Sequence, residues 1–300
     1  MKAKLNNSIV KTLLYSDIFD YPLSEEELWN YLVSEVEVGK EAFPQSVKKI
    51  NSVVLRRGKY LFIEGKSKNI NLRMNKLNES EKKMSIARMA SKKLFLVPTV
   101  LFIGVSGNLS MLNASRKDDI DLFVITRKKT LWVTRLLMIL ILKRIGLHRK
   151  KGDNDFSNKI CLNMLVDEEN IAIPRNLRNL YTAHEVAQLM PVIERDNTYS
   201  KFIDANKWVS DFMPNILKEM KGRKVKKTEE KKIDDLIECL PKFPLAEGLA
   251  KSLQLTLIRR SLTRETVKDG FLAFHPRDYK SIILRKYRKN LVKYKIKSYV

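Results

Sequence analysis

The chain of 300 residues has 58 Lys and Arg against 34 Asp and Glu, which gives a net charge of +24. Such a field attracts nucleic acids, triphosphates and acidic membrane surfaces, although a Lys-rich composition by itself is an alternative explanation. The two cysteines and three histidines show neither a zinc-type spacing nor a disulfide framework, which fits a reducing, cytoplasmic location. The most apolar stretch, residues 136–142, is too short to span a bilayer.

Residues 1–65 are predicted to form a small unit of three short helices and a strand pair. A capping box of Ser24 and Glu27 begins the second helix, Pro44 lies near the start of the third, and a strand at 60–63 follows a glycine turn. This order resembles a winged helix-turn-helix, a domain that contacts either DNA or other proteins. In the DNA-binding alternative, the third helix and the turn present a polar and basic set: Gln45, Lys48, Lys49, Arg56, Arg57 and Lys59.

Residues 66–96 are predicted to form a connecting helix, and residues 97–175 a domain built on apolar strands. The first of these strands covers residues 100–105 and runs into Ser106-Gly107-Asn108. A glycine at a strand-to-helix turn lets the backbone approach a phosphate closely, and the amides that follow it are free to bind the phosphate. Ser106, Gly107 and Asn108 are therefore predicted to contact a nucleoside triphosphate.

The second strand, predicted over residues 118–125, carries Asp119 and Asp121. Side chains alternate along a strand, so both carboxylates project from the same face. Two carboxylates held that close repel each other unless a cation lies between them, and hard oxygen ligands suit Mg²⁺ or Mn²⁺. The pair is predicted to bind such a metal. Cys161, inside a later apolar run, is predicted to be an inert core thiol.

The run GVSGNLSMLNASRKDDIDLFVIT resembles the signature of the polymerase-beta-like nucleotidyltransferases of the minimal and aminoglycoside-modifying kind. That signature is an apolar strand, a glycine turn, a polar loop, and acid-apolar-acid on a second strand. The resemblance implies an α+β fold with a mixed-sheet nucleotidyltransferase core, with Asp119 and Asp121 as catalytic metal ligands. It also implies Mg²⁺ or Mn²⁺ as the cofactor and an NTP as substrate. The layout resembles bacterial and archaeal proteins that have an N-terminal winged helix and a C-terminal helical domain.

The chain departs from this family at three places. The serine that usually follows the glycine is Asn108, and a second glycine is replaced by Leu112. The family places a third carboxylate, often the general base, on a later strand. The predicted strand at 160–166 has Asn163 there, and an amide cannot take a proton. The neighbouring acids leave the identity of the base open: Asp153, Asp155 and Asp167.

Residues 176–300 are predicted to form a helical domain that contains a charged linker at 218–232. A polar and aromatic cluster around His275 and Arg277 is either a site loop or a turn before the last helix. From Lys280 the chain becomes a basic helix, which suits nucleic acid, acidic lipid or simple docking. The helices of this domain are predicted over residues 180–190, 202–212 and 245–258.

Two hypotheses follow from the sequence. In the first, the protein transfers a nucleoside monophosphate from an NTP to RNA, a protein or a small molecule. In the second, the transferase domain is degenerate and only senses nucleotide, while the winged helix and the basic C-terminal helix bind nucleic acid. A third carboxylate beside Asp119 and Asp121 would favour the enzyme, whereas an amide or an apolar residue would favour the regulator.

Overall fold

The fold contains two β-sheets surrounded by helices, which agrees with the predicted α+β class. A computed structural model of the chain describes residues 2–41, 43–47, 53–149, 155–228, 243–259, 266–273 and 279–296. One sheet has three antiparallel strands and lies in the N-terminal part. The other is a mixed sheet of seven strands that runs through the centre of the molecule.

The N-terminal part follows the order helix, strand, two helices and two strands. Ser24 and Glu27 form the predicted capping box, in which each side chain bonds the backbone amide of the other residue. The first strand was not predicted from the sequence; it pairs with the third strand, so that the sheet order is β1-β3-β2. The elements are α1 (Lys2–Ser16), β1 (Leu23–Ser24), α2 (Glu25–Asn30), α3 (Phe43–Val47), β2 (Val54–Arg57) and β3 (Tyr60–Ile63).

The apolar core of this N-terminal part extends into later segments of the chain. Leu13 and Leu28 belong to the same buried cluster as Leu180 and Tyr287. The hydroxyl of Tyr21 also donates a hydrogen bond of 2.8 Å to the carbonyl of Met111. The first 65 residues therefore share their core with two helices from the C-terminal part of the chain.

A long helix, α4 (Lys68–Leu94), links the N-terminal part to the central sheet as predicted. The next three strands also match their predicted positions to within a few residues. In the sheet, β5 pairs antiparallel with β4 and parallel with β6. These elements are β4 (Val100–Val105), α5 (Gly107–Ser110), β5 (Ile120–Thr126), α6 (Leu131–Arg144) and β6 (Ile160–Asp167).

The C-terminal part differs from the predicted helical domain because it also supplies four strands of the central sheet. One of them, β7, lies beside β4, so it is an inner strand that the sequence analysis missed. The sheet order is β8-β7-β4-β5-β6-β10-β9. These elements are α7 (Leu180–Gln188), β7 (Met190–Glu194), α8 (Thr198–Ala205), α9 (Ile216–Gly222), β8 (Lys226–Lys227), β9 (Thr266–Lys268) and β10 (Phe271–Ala273).

Part of the predicted charged linker is ordered secondary structure, since α9 overlaps its start and β8 lies within it. Met220 is fully buried, and Arg223 bonds the carboxylate of Glu219 and the hydroxyl of Tyr31. Residues 229–232 of the linker lie outside the described ranges.

Two further helices, α10 (Phe243–Arg259) and α11 (Tyr279–Lys293), pack against different apolar clusters. On α10, Glu247 accepts hydrogen bonds from the first amides of α6, those of Trp132 and Val133. On α11, Ile283 and Tyr287 are buried, while its basic residues from Arg285 onward are mostly exposed. Among the described helices, none is both long enough and apolar enough to cross a membrane.

Candidate active site

The turn after β4 and the start of β5 meet at a glycine. Gly107 has a φ of +64°, a left-handed conformation that side-chain-bearing residues rarely adopt. A Cβ atom added at Gly107 would lie 2.8 Å from Oδ2 of Asp121. The amide of Ser106 donates a hydrogen bond of 3.0 Å to the carbonyl of Asp121. The predicted phosphate turn therefore packs directly against the predicted metal ligand, and only glycine leaves room for this contact.

Asp119 lies just before β5, which begins at Ile120 and not at residue 118 as predicted. Asp121 is on the strand, and both carboxylates are only partly exposed. Nη1 of Arg149 is 2.5 Å from Oδ2 of Asp119, and the guanidinium lies over the ring of Phe156 at 4.4 Å. Arg149 thus neutralises one of the two carboxylates. The sequence analysis missed it, because nothing local distinguishes it from other basic residues.

A buried lysine fixes the loop that precedes the carboxylate pair. Nζ of Lys83, on α4, donates to the carbonyls of Arg116 and Asp118 at 3.1 and 2.6 Å, and to Oδ1 of Asn158 at 3.1 Å. The carboxylate of Asp118 accepts hydrogen bonds from the amide and hydroxyl of Ser115 and from the exposed side chain of Asn108 at 3.3 Å. Asp118 and Asn108 therefore hold the loop that carries Asp119.

Cys161 is half-buried beside the carboxylate pair and does not lie in the core, as the sequence predicted it would. It pairs in register with Asp121 across β5 and β6, and its sulfur and the oxygens of Asp119 and Asp121 lie within 4.8 Å of one another. Burial and the neighbouring Asp121 and Asp119 charges raise the pKa of the thiol. Alternation along β6 buries Ile160 and Leu162 and turns Cys161 toward the carboxylates. The same alternation could have been applied to the sequence.

The pKa of Asp121 shows the effect of placing two carboxylates close together in a partly buried position. Burial first, and then the charge of Asp119, raise the pKa of Asp121 to about 7, although Cys161 and Arg149 oppose the shift. A carboxylate that is costly to ionise beside another one is the environment that a divalent cation relieves. The oxygens of Asp119 and Asp121 fit a hard cation such as Mg²⁺ or Mn²⁺, and the Cys161 sulfur would suit a softer metal.

The predicted alternatives for a third strand carboxylate do not join the pair. Asn163 is buried and faces the same cavity, so an amide occupies that position. Asp167 lies at the far end of β6, where its carboxylate bonds Asn170. Asp155 accepts a hydrogen bond from the amide of Ser157 in an exposed loop. Asp153 lies outside the described residues, as do His275 and Arg277 of the predicted polar cluster.

Helix α7 supplies a carboxylate that the sequence did not single out as a site residue. Tyr181, Glu185 and Gln188 recur at helical spacing and line the same cavity as Asp121. Burial raises the pKa of Glu185 to about 7, and a hydrogen bond from Tyr181 opposes this shift. Next to it, His184 is a structural residue: its ring stacks on Tyr15 at 3.9 Å, and burial lowers its pKa to about 4.

The Gly107 turn, the carboxylate pair, Arg149 and α7 line one cavity of about 450 Å³. The cavity also has an aromatic lining, with side chains from the N-terminal part, from α7 and from the start of α11: Tyr15, Phe19, Tyr21, Tyr31, Tyr181 and Tyr279. The size lies within the range for small-molecule sites, which typically combine aromatic walls with a few polar groups.

One departure from the family signature has a conformational counterpart. Leu112, which stands where a second glycine is expected, has a φ of +52°. This left-handed region is uncommon for a residue with a side chain and is the region that glycine adopts readily. The backbone at this position thus has a glycine-like shape although the side chain is leucine.

Comparisons with protein-family models, curated proteins and solved structures give no match for this chain.

Proposed function

We propose that this protein is a metal-dependent nucleotidyltransferase, which transfers a nucleoside monophosphate from an NTP to an acceptor hydroxyl or phosphate. The observation that carries the proposal is the contact between the Gly107 turn and the Asp119–Asp121 pair on one wall of the cavity. The left-handed backbone at Leu112 adds support, because it matches the glycine of the signature.

Each group then has a role in binding. Asp119 and Asp121 would hold Mg²⁺ or Mn²⁺, which when bound would stabilise charge on the triphosphate and on the departing pyrophosphate. The backbone at Ser106 and Gly107, with the amide of Asn108, would contact the triphosphate. Arg149 pairs with Asp119 and lines the cavity, so it would turn toward phosphate oxygens once a cation binds Asp119. The aromatic side chains of the cavity would stack on the base.

A nucleotide sensor is the second candidate. It is favoured by the strand β6, where Asn163 lines the cavity in place of a carboxylate and Cys161 lies beside the carboxylate pair. The order α1–β1–α2–α3–β2–β3 supports a winged helix, whose exposed Arg56, Arg57 and Lys59 could contact nucleic acid together with α11. Lys48 and Lys49, and the side chain of Gln45, lie outside the described residues.

Calorimetry tests the binding step that both candidates share. Each of the four NTPs, as its non-hydrolysable α,β-methylene analogue, is titrated with Mn²⁺ into the wild type, Asp119→Ala and Asp121→Ala. We expect at least one analogue to bind the wild type and neither carboxylate variant to bind it, because both variants remove a metal ligand. Asp211→Ala, an exposed acid outside the cavity, is the matched control.

Transfer then separates the candidates. Incubation of labelled NTPs and Mg²⁺ or Mn²⁺ with RNA, protein extract and small-molecule extract should label an acceptor if the protein is a transferase. Binding without labelling would favour the sensor. Undiminished binding in both carboxylate variants would refute the assignment of the site.

A further inference from the structure

The proposed transfer needs a group that takes the proton of the acceptor, and strand β6 does not provide a carboxylate for it. Asn163 carries an amide, which does not accept a proton at neutral pH. Asp167 is at the opposite end of the strand and is held by Asn170. Within the described part of the chain, the proton acceptor must come from another wall of the cavity.

The acids of the segment 118–121 are already engaged. Asp118 accepts three hydrogen bonds within its own loop, from Ser115 and Asn108. Asp119 pairs with Arg149, and Asp121 packs against Gly107, where both are placed to hold the metal. Ionised carboxylates that coordinate a cation are poor proton acceptors, because the cation withdraws their charge.

Helix α7 provides the remaining carboxylate among the described residues that line the cavity, Glu185. The capping box of Asn179 with Thr182 fixes the start of this helix, and the buried Leu180 and Ala183 anchor it. Glu185 lies one helical turn after Tyr181, which donates a hydrogen bond to it. Glu185 is also close enough to Asp121 for the two charges to interact.

His184 is a second side chain of α7 that could take a proton, and its contacts exclude it from this role. Its ring is held between Tyr15 on one face and its own helix, with Nδ1 bonded to the carbonyl of Leu180 at 2.9 Å. A ring fixed in this way packs the helix against α1 and is not turned toward the carboxylate pair. Glu185 is therefore the candidate proton acceptor on α7, and it lines the same cavity as Asp119 and Asp121.

We propose that Glu185 is the general base of the transfer, a role that rests on the proposed function. The acceptor is then a hydroxyl compound bound between α7 and Asp121. Its oxygen forms a bond to the α-phosphorus of the NTP, while the bond from that phosphorus to the bridging oxygen breaks. The electron pair of the broken bond leaves with pyrophosphate, and the hydroxyl proton passes to a carboxylate oxygen of Glu185 and then to water. Tyr181 is the positioning residue for that carboxylate.

The test separates binding from proton transfer in the full-length protein. An equimolar mixture of ATP, GTP, CTP and UTP is supplied with Mn²⁺ and a high concentration of glycerol, so that water and glycerol are the acceptors, and pyrophosphate release is followed. Glu185→Gln preserves the shape of the side chain, and the exposed Glu169→Gln is the matched control. Binding of the α,β-methylene analogues is measured on the same samples.

We expect Glu185→Gln to bind the analogue within about threefold of the wild type and to release pyrophosphate roughly 100-fold more slowly, as loss of a general base does. Glu185→Ala should behave in the same way and regain at least tenfold in rate with added formate, because formate supplies a carboxylate to the vacated space. A purely structural role for Glu185 would give no such rescue.

The opposing results are distinct. Release at the wild-type rate by Glu185→Gln would overturn the role of Glu185. So would loss of analogue binding in that variant, because the residue would then serve binding and not proton transfer. Wild type that binds the analogue through Asp121 but releases no pyrophosphate would also overturn it. Wild type that binds no analogue would instead refute the proposed function.

Discussion

Gly107→Ala is the sharpest test of the contact between the phosphate turn and the carboxylate pair. The substitution has two separate costs: a left-handed backbone that disfavours alanine, and a Cβ atom 2.8 Å from Oδ2 of Asp121. The first cost is about 1–2 kcal/mol of the free energy of unfolding. The second displaces the Asp121 side chain, and we expect it to weaken metal-dependent NTP binding roughly tenfold to hundredfold.

Gly58 offers a matched control for the first cost. It has a φ of +58° in the exposed turn between β2 and β3, and a Cβ atom there meets nothing within 4 Å. Gly58→Ala should therefore lose a similar 1–2 kcal/mol, about 2–8 °C in Tm, and retain full binding. Thermal unfolding and calorimetry with Mn²⁺ and the NTP analogue measure the two effects. Equal binding by Gly107→Ala and the wild type would refute the proposed geometry.

Two further predictions concern the proposed metal ligands. The folded-state pKa of Asp121, about 7, exceeds the 3.8 of the unfolded chain, so its stabilising contribution is present below about pH 4 and is lost as the pH rises through 7. The shift of about three pH units, at 1.36 kcal/mol per unit and halved because the side chain is partly exposed, corresponds to about 2 kcal/mol of the free energy of unfolding. Asp121→Asn should recover this free energy at pH 8, measured by denaturant titration without metal. An unchanged dependence of stability on pH in the variant would contradict this prediction. Cys161→Ser should lower Zn²⁺ affinity roughly tenfold while leaving Mg²⁺ affinity nearly unchanged, since sulfur favours soft metals; equal Zn²⁺ affinity in calorimetry would exclude the thiol as a ligand.

The parts of the fold that the sequence predicts best are those with local signals. The apolar runs of β4, β5 and β6, the capping box at Ser24, and the spacing from Gly107 to Asp121 all depend on residues near one another in the chain. Strand β7 was missed because Met190–Glu194 is short, contains a proline and follows a helical pattern directly. Its position beside β4 is decided by pairing with a strand about 90 residues earlier, which no local pattern encodes.

The difference between local and long-range signals also explains which site residues the sequence predicts. Asp119 and Asp121 could be recognised from alternation along one strand, whereas Arg149 and Glu185 reach the cavity from a loop and a helix that only tertiary packing brings near. Cys161 is an intermediate case. Its apolar neighbours suggested a core position, but its alternation with Ile160 and Leu162 already indicated the opposite face.

The cavity draws its walls from residues near both ends of the chain, and this has a consequence for its assembly during synthesis. Tyr15 of α1 and Tyr279 at the start of α11 face the same space, and Nδ2 of Asn290 donates to the carbonyl of Leu14 at 3.4 Å. A ribosome must therefore release the chain from α1 through α11 before the pocket can close. Until then the apolar cluster that contains Leu13 and Leu14 lacks its partners from α11, so the nascent chain is open to chaperones and to aggregation. Closure of the pocket depends on a contact of very high sequence separation.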